Sequence, residues 1–146
     1  MLFLLFQIGP GRYAIEATRV VEVLPLMRVT HLPQAPAGMA GVLCYRGTPL
    51  PIIDLSSVIL NRPAEQKLST RIVVVTCAGG RRLGLIAERA NGTLKRERGD
   101  FMDTGVALEG VSYLGPVTRD ERGFVLWIDP DQLPGAALLH QIVEAA

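Results

Sequence analysis

Hydrophobic positions in this chain come in short runs broken by glycine and proline, a pattern that predicts strands and tight turns rather than long helices. Leu2 to Ile8 reads as a strand, Gly9-Pro10-Gly11 as its turn, and Tyr13 to Glu16 as the returning strand. Thr18 to Leu24 is ambiguous and fits a single helical turn feeding a strand, ended by Pro25. Two prolines fix the stretch Leu32-Pro33-Gln34-Ala35-Pro36 as an extended loop. Gly41 to Tyr45 and Leu50 to Leu55 are strand-like runs joined through Arg46-Gly47-Thr48-Pro49. Gly47 can adopt the positive φ that a tight turn needs, and Pro49 and Pro51 cannot donate to a sheet ladder. That leaves Arg46 as a cationic fork at the tip of a hydrophobic hairpin. Asp54 or Ser56 is placed to cap a short helix through about Leu60.

The polar stretch Asn61 to Ser69, which contains Pro63, is the best internal boundary, and beyond it the pattern restarts. Arg71 to Cys77 is rich in β-branched residues, Gly79-Gly80 is a hairpin turn, and Leu83 to Ile86 returns. Laying Gly11-Arg12 over Gly80-Arg81 aligns strand, glycine turn, arginine, strand and then an acid, Glu16 or Glu88, which is compatible with an internal duplication. Further strand signals lie at Gly110 to Leu114 and Gly123 to Ile128. Asp129 or Asp131 opens a helical tail, with Pro134 near its start and apolar residues at helical spacing over 136–145. Many short strands and few long helices predict a mostly β fold of barrels rather than a doubly wound sheet.

Composition narrows the function. Of 146 residues 49% are hydrophobic and 20% charged, so a sizeable core forms and apolar surface is left over for partners. The formal net charge of +1 gives no global field to draw in nucleic acid or an anionic membrane. Thirteen of the 15 basic residues are arginine, which suits bidentate interface pairing. The run Met1 to Ile8 is apolar but lacks a basic flank and a small-residue cleavage site, and it is far too short to span a bilayer, so a soluble cytoplasmic protein is expected. Cys44 and Cys77 sit in strand-like apolar runs and read as small buried hydrophobes rather than a disulfide pair.

The catalytic inventory is nearly empty. Gly9-x-Gly11-x-x-Ala14 superficially fits a dinucleotide fingerprint, but a strand follows where a helix is needed, and no acid occurs between Glu22 and Asp54. His31 and His140 have no partner at metal-ligand spacing and read as solvent-facing, so neither a metal nor a cofactor is expected. A Cys44–His31 nucleophile pair is conceivable only through space, and Cys44 stands mid-run where a thiol is usually inert. Asp129 and Asp131 look like helix-start residues. Arg81, Arg82, Arg89, Lys95, Arg96 and Arg98 form a local basic excess, and a nucleic-acid-binding small barrel using Arg81 to Arg98 is the alternative reading. A stacking groove would add aromatics, and none lies between Tyr45 and Phe101, so a solvated face is the reading preferred.

The order of residues resembles the CheW-like coupling proteins of bacterial chemosensory arrays. The likeness runs through Phe6-x-Ile8-Gly9, Tyr13-Ala14-Ile15-Glu16, Val20-Val21-Glu22-Val23, Leu32-Pro33 and Pro36. It is most specific at Gly41-Val-Leu-Cys-Tyr-Arg-Gly47 and Pro51-Ile-Ile-Asp-Leu55, where the family resembles Gly-Val-x-Asn-Leu-Arg-Gly followed by Pro-x-x-Asp-Leu. The second half fits more loosely, through Val73 to Cys77, Gly84 to Ile86, Gly110 to Leu114 and Val125 to Asp129. Cys44-Tyr45 stands where the family has Asn-Leu, a change that bears on the partner more than on the fold. The resemblance implies a single domain over 1–146 with two SH3-like five-stranded β-barrel subdomains around a shared hydrophobic core. Subdomain one would span about 10–70 and subdomain two about 71–128, with strand 2–8 and a C-terminal helix over 136–145 packing against them. It further implies a non-catalytic adaptor, without cofactor, joining a methyl-accepting chemoreceptor to a CheA-type histidine kinase and reaching the membrane only through the receptor. By position, Val20, Glu22 and Arg46 match receptor-binding residues, and Gly41 and Gly47 match turn positions near the kinase-facing end.

Overall fold

A computed structural model describes residues 1–105 and 112–133. Of the expected strand at Gly110 to Leu114, Gly110 and Val111 lie outside these residues, while Ser112 and Tyr113 form a turn and only Leu114 is in a strand; the expected helix over 136–145 and His140 lie wholly outside. Ten strands are described: β1 (Leu2–Ile8), β2 (Gly11–Glu16), β3 (Val20–Pro25), β4 (Met39–Tyr45), β5 (Thr48–Asp54), β6 (Arg71–Thr76), β7 (Arg82–Ala87), β8 (Gly92–Lys95), β9 (Leu114–Asp120) and β10 (Gly123–Ile128). One short helix, α1 (Leu55–Leu60), follows β5, and single 3-10 turns cover Ala17–Arg19, Ala78–Gly80, Arg98–Asp100 and Pro130–Gln132. Asp54 caps α1 by accepting from the amides of Ser56 at 3.0 Å and Ser57 at 3.4 Å, one of the two capping residues the sequence offered.

The strands form two five-stranded sheets, ordered β8-β1-β2-β10-β9 and β3-β6-β7-β5-β4. Their wiring is the same. In each, an antiparallel hairpin (β1–β2 or β6–β7) is flanked by an antiparallel edge strand on one side. On the other side lies a parallel strand, β10 or β5, that is the second strand of another hairpin, β9–β10 or β4–β5. Each sheet curls and closes through one bridge beyond its edge strand. Thr30 and Val42 exchange backbone hydrogen bonds of 2.9 and 2.8 Å in one barrel, and Met102 and Val117 exchange two of 2.8 Å in the other. Closure leaves little unpaired strand edge for aggregation.

The alignment of Gly11-Arg12 with Gly80-Arg81 thus lands on equivalent hairpins, β1–β2 and β6–β7. The division of strands at about residue 70 does not hold, because the halves are interleaved. β1 and β2 complete the barrel whose other strands are β8, β9 and β10, while β6 and β7 complete the barrel begun by β3, β4 and β5. We call these the first and second barrels. The cause is visible in burial: β6 is buried on both faces, with Ile72 and Val74 inside the second barrel and Val73 and Val75 facing the layer between the barrels. A strand so enclosed needs neighbours on every side, and an unbroken β-branched run supplies them. The shared core between the barrels holds Phe6, Ile8, Tyr13, Ile15, Ile53, Leu55, Leu85 and Ile128. The first barrel is filled by Phe3, Ala14 and Val125, with Phe101 and Trp127 against Phe3.

Candidate functional site

Three features of the second barrel bring four of the five expected site residues to one end. The β4–β5 turn consists of Arg46 and Gly47 alone, with φ of 50° and 78°, and Thr48 and Pro49 already belong to β5. Positive φ at both central residues is the twist that a two-residue hairpin needs, and the glycine meets it without strain. The parallel register of Ile52 with Gly84 places the start of β7, and so Arg82, beside the start of β5. The antiparallel register of Val20 with Val75 brings the start of β3 to the same end.

A bulge then separates the roles of two neighbours on β3. Val20 pairs with Val75 but Glu22 pairs with Val74, so Val21 is the extra residue. In a regular strand Val20 and Glu22 would share a face. Here Val20 packs half-buried against the shared core, while Glu22 turns to the opposite side, toward Tyr45. The Tyr45 hydroxyl donates to Glu22 Oε2, and Arg46 Nη2 donates to the same oxygen at 3.1 Å. The guanidinium also sits 5.0 Å from the centre of the Tyr45 ring. The hydrogen bond to Glu22 raises the Tyr45 hydroxyl above the ordinary phenol pKa, with burial adding to it. Because β3 and β4 are the two edge strands of their sheet, the Tyr45–Glu22 bond also fastens the barrel seam.

The structure brings Val20, Glu22, Arg46 and Gly47 to this end and places Gly41 at the other. Gly47 is exposed, with open space where a β-carbon would stand. Gly41 is buried at a bulge in β4 with φ of 147°, and a β-carbon there would collide with the Thr30 carbonyl. Its need for glycine is steric and belongs to barrel closure.

The sequence missed a neighbouring junction. Arg19, just before β3, donates from Nε to the Thr76 carbonyl at 2.7 Å and from Nη2 to Asp131 at 2.9 Å, and Asp131 also accepts from the Ala78 amide at 2.8 Å. These contacts tie the second barrel to the segment leaving the first. Asp129 and Asp131 read in sequence as helix-start residues; here Asp129 caps the 3-10 turn Pro130–Gln132 by accepting from the Asp131 amide, and nothing local in the sequence points from Asp131 to Arg19. Beyond Arg19 a cleft of about 490 Å³ opens among Glu16, Arg98, Phe101, Trp127 and Asp129.

Other candidates fall elsewhere. Cys44 is exposed, against expectation, because Leu43 and Tyr45 take the inward positions on either side of it. Cys77 is half-buried, and burial followed by the nearby Asp131 charge pushes its thiol up to about 11. The basic run is divided: Arg82 opens β7 in the second barrel, while Lys95 ends β8 in the first. His31 is exposed. Among the described residues no group of three or more His, Cys, Asp or Glu is arranged to hold a metal, and no helix is long and apolar enough to cross a membrane.

Residues 2–137 match the family model described as the CheW-like domain. Over 89 residues, 61% of this chain, the sequence is 29% identical to a probable chemotaxis protein CheW of Rhizobium etli, and it spans 57% of that protein's length. Over 142 residues it is 23% identical to a chemotaxis protein CheW of Treponema pallidum, covering 94% of this chain and 84% of the relative. The crystal structure of the scaffolding protein TtCheW from Thermoanaerobacter tengcongensis superposes with a TM-score of 0.78 at 18% identity, over 88% of this chain and 84% of that one.

Proposed function

This chain belongs to the CheW-like domain family, and on that premise we propose that it is a non-catalytic adaptor coupling a methyl-accepting chemoreceptor to a CheA-type histidine kinase. The observation that carries this reading is the hairpin tip. Arg46 is 62% exposed along its side chain, yet its guanidinium is held by Glu22 and by the Tyr45 ring. A surface fork held in place costs less to immobilise on binding and serves as an interface anchor. With half-buried Val20 beside the seam, Val20, Glu22 and Arg46 form the receptor-facing surface of the proposal. Of the two glycines assigned to the kinase side, Gly41 is enclosed and Gly47 is the one exposed for contact.

An adaptor of this kind acts by raising effective concentration and fixing geometry, with no covalent step. The array is then reached through the receptor, and the protein itself needs no membrane segment. The experiment is reconstitution of the full chain with a receptor signalling fragment and the kinase. A three-component complex should form, and kinase autophosphorylation should respond to the receptor only when this protein is present. Strict competition between receptor and kinase for the protein would sink the bridging mechanism, even with tight binary complexes.

A further inference from the structure

Tyr45 adds to the hairpin tip a group that an aliphatic side chain would not supply. Its ring lies in the interior of the second barrel with Leu43, Leu50 and Ile52 and is 8% exposed. Its hydroxyl emerges from that interior and donates to Glu22 Oε2, the oxygen that also accepts from Arg46. One carboxylate oxygen therefore serves two donors, and the single phenolic proton is spent. What stays open is Arg46. Only one of its N–H groups meets an acceptor among the described residues, so a complete two-donor edge of the guanidinium remains free. Arg82 stands at the same end, close enough for its charge to pull the Tyr45 hydroxyl pKa down. The charges that act on the Tyr45 hydroxyl are thus two cations, Arg46 and Arg82, and one carboxylate, Glu22, whose Oε2 already serves two donors.

We propose that Tyr45 is a specificity-determining positioning residue, which by engaging Glu22 and flooring Arg46 fits the hairpin tip to an acidic side chain of the partner protein. The inference deepens the adaptor reading and rests on it. Arginine recognises a carboxylate through two parallel hydrogen bonds, and this geometry favours binding most when the fork is already oriented. A basic partner residue would meet Arg46 and Arg82 beside a carboxylate whose Oε2 already serves two donors. Tyr45 touches the partner little itself; its effect passes through Arg46 and Glu22.

The test uses the full chain and a soluble signalling fragment of a methyl-accepting receptor from the same organism, with affinities measured by calorimetry. Tyr45→Phe keeps the ring floor and deletes the hydrogen bond, and should weaken binding roughly 3- to 10-fold. A receptor fragment whose exposed tip Glu and Asp are replaced by Gln and Asn should bind the wild type about 10-fold or more weakly. On that fragment the wild type and Tyr45→Phe should no longer differ. Indistinguishable affinities of wild type and Tyr45→Phe for the unaltered fragment, alongside a clear loss in Arg46→Ala, would overturn the role of Tyr45 and leave the adaptor reading standing. A wild type that binds no receptor fragment would overturn both. A partner-free arm follows phenol ionisation by ultraviolet difference titration, with Tyr45→Phe identifying the transition. Glu22→Gln should bring the Tyr45 transition back down toward that of an ordinary phenol, and an unmoved transition would overturn the hydrogen bond on which the proposal stands.

Discussion

Arg12 and Asp120 stand 108 positions apart in the chain, yet Arg12 donates from Nη1 and Nη2 to the two carboxylate oxygens of Asp120 at 2.6 and 2.7 Å. Their side chains are 10% and 18% exposed, so the pair is largely shielded at the turn end of β2 and β9. The hydrogen bond from Arg12 leads the causes that hold the Asp120 carboxyl down, to about 2. A carboxyl depressed in the folded state adds stability above its unfolded pKa and loses it as the pH falls toward the folded one.

Acid should therefore erode this contribution between about pH 4 and about pH 2. Asp120→Asn should lower the unfolding free energy at neutral pH by about 2 kcal/mol and flatten the loss across that window. Urea melts at stepped pH check both. An unchanged acid slope in Asp120→Asn would assign it to other carboxylates.

The two hairpin glycines should part company. Gly41→Ala drives a β-carbon into the Thr30 carbonyl at φ of 147°, where nothing flexible can give way. It should cost about 3 kcal/mol or more and open the Thr30–Val42 bridge, read as faster amide exchange at Val42. Gly47→Ala has open space at φ of 78° and should cost only about 1 kcal/mol. Equal thermal melts for the two would contradict the packing described for Gly41.

Arg46→Ala should leave the fold nearly untouched. The Arg46–Glu22 pair has side chains 62% and 37% exposed, and such pairs contribute about 0–1 kcal/mol. The melting temperature should stay within a few degrees while receptor-fragment affinity falls. A collapse of the circular dichroism spectrum would mark Arg46 as a folding residue.

The thiols should differ in reactivity. Cys44 is exposed, whereas Cys77 is half-buried with its thiol pushed up to about 11, so little thiolate forms on it at neutral pH. A maleimide reagent should label Cys44 first, and Cys44→Ser should abolish the fast phase. Fast labelling that survives in Cys44→Ser would contradict the burial of Cys77.

Local signals were enough for the elements that punctuation defines. The glycine turns, the prolines and the capping Asp54 located β1, β2, β4, β5, β6, β7 and α1 to within a few residues. Strand β8 escaped because Gly92–Lys95 is too short to show alternation, and β9 because Gly115 and Pro116 interrupt it. The interleaving of the barrels was not legible, since it depends on which distant strand each sheet edge meets. At the site, the Arg46 tip was readable from Arg-Gly between apolar runs. The Glu22–Tyr45 bond was not, because it depends on a bulge at Val21 that re-aims Glu22, and no residue in β3 announces it. The exposure of Cys44 follows from the strand alternation that turns Leu43 and Tyr45 inward, which its apolar neighbours conceal.

The exchanged strands impose an order on biosynthesis. A ribosome delivers the chain from residue 1 onward, but the second barrel lacks its central strands until Ala87 has emerged, and the first lacks its last until Ile128. The β1–β2 hairpin must wait with Phe3, Phe6, Ile8 and Ile15 uncovered while more than a hundred further residues are made. A nascent chain in that state offers a sticky apolar ribbon that a holdase can bind or that a second nascent chain can capture. Neither barrel can be cut free as an autonomous piece, since a break between Asn61 and Ser69 leaves each fragment with strands from both. Two such fragments would instead be expected to find each other and close both barrels together, making the chain a natural candidate for split-protein complementation.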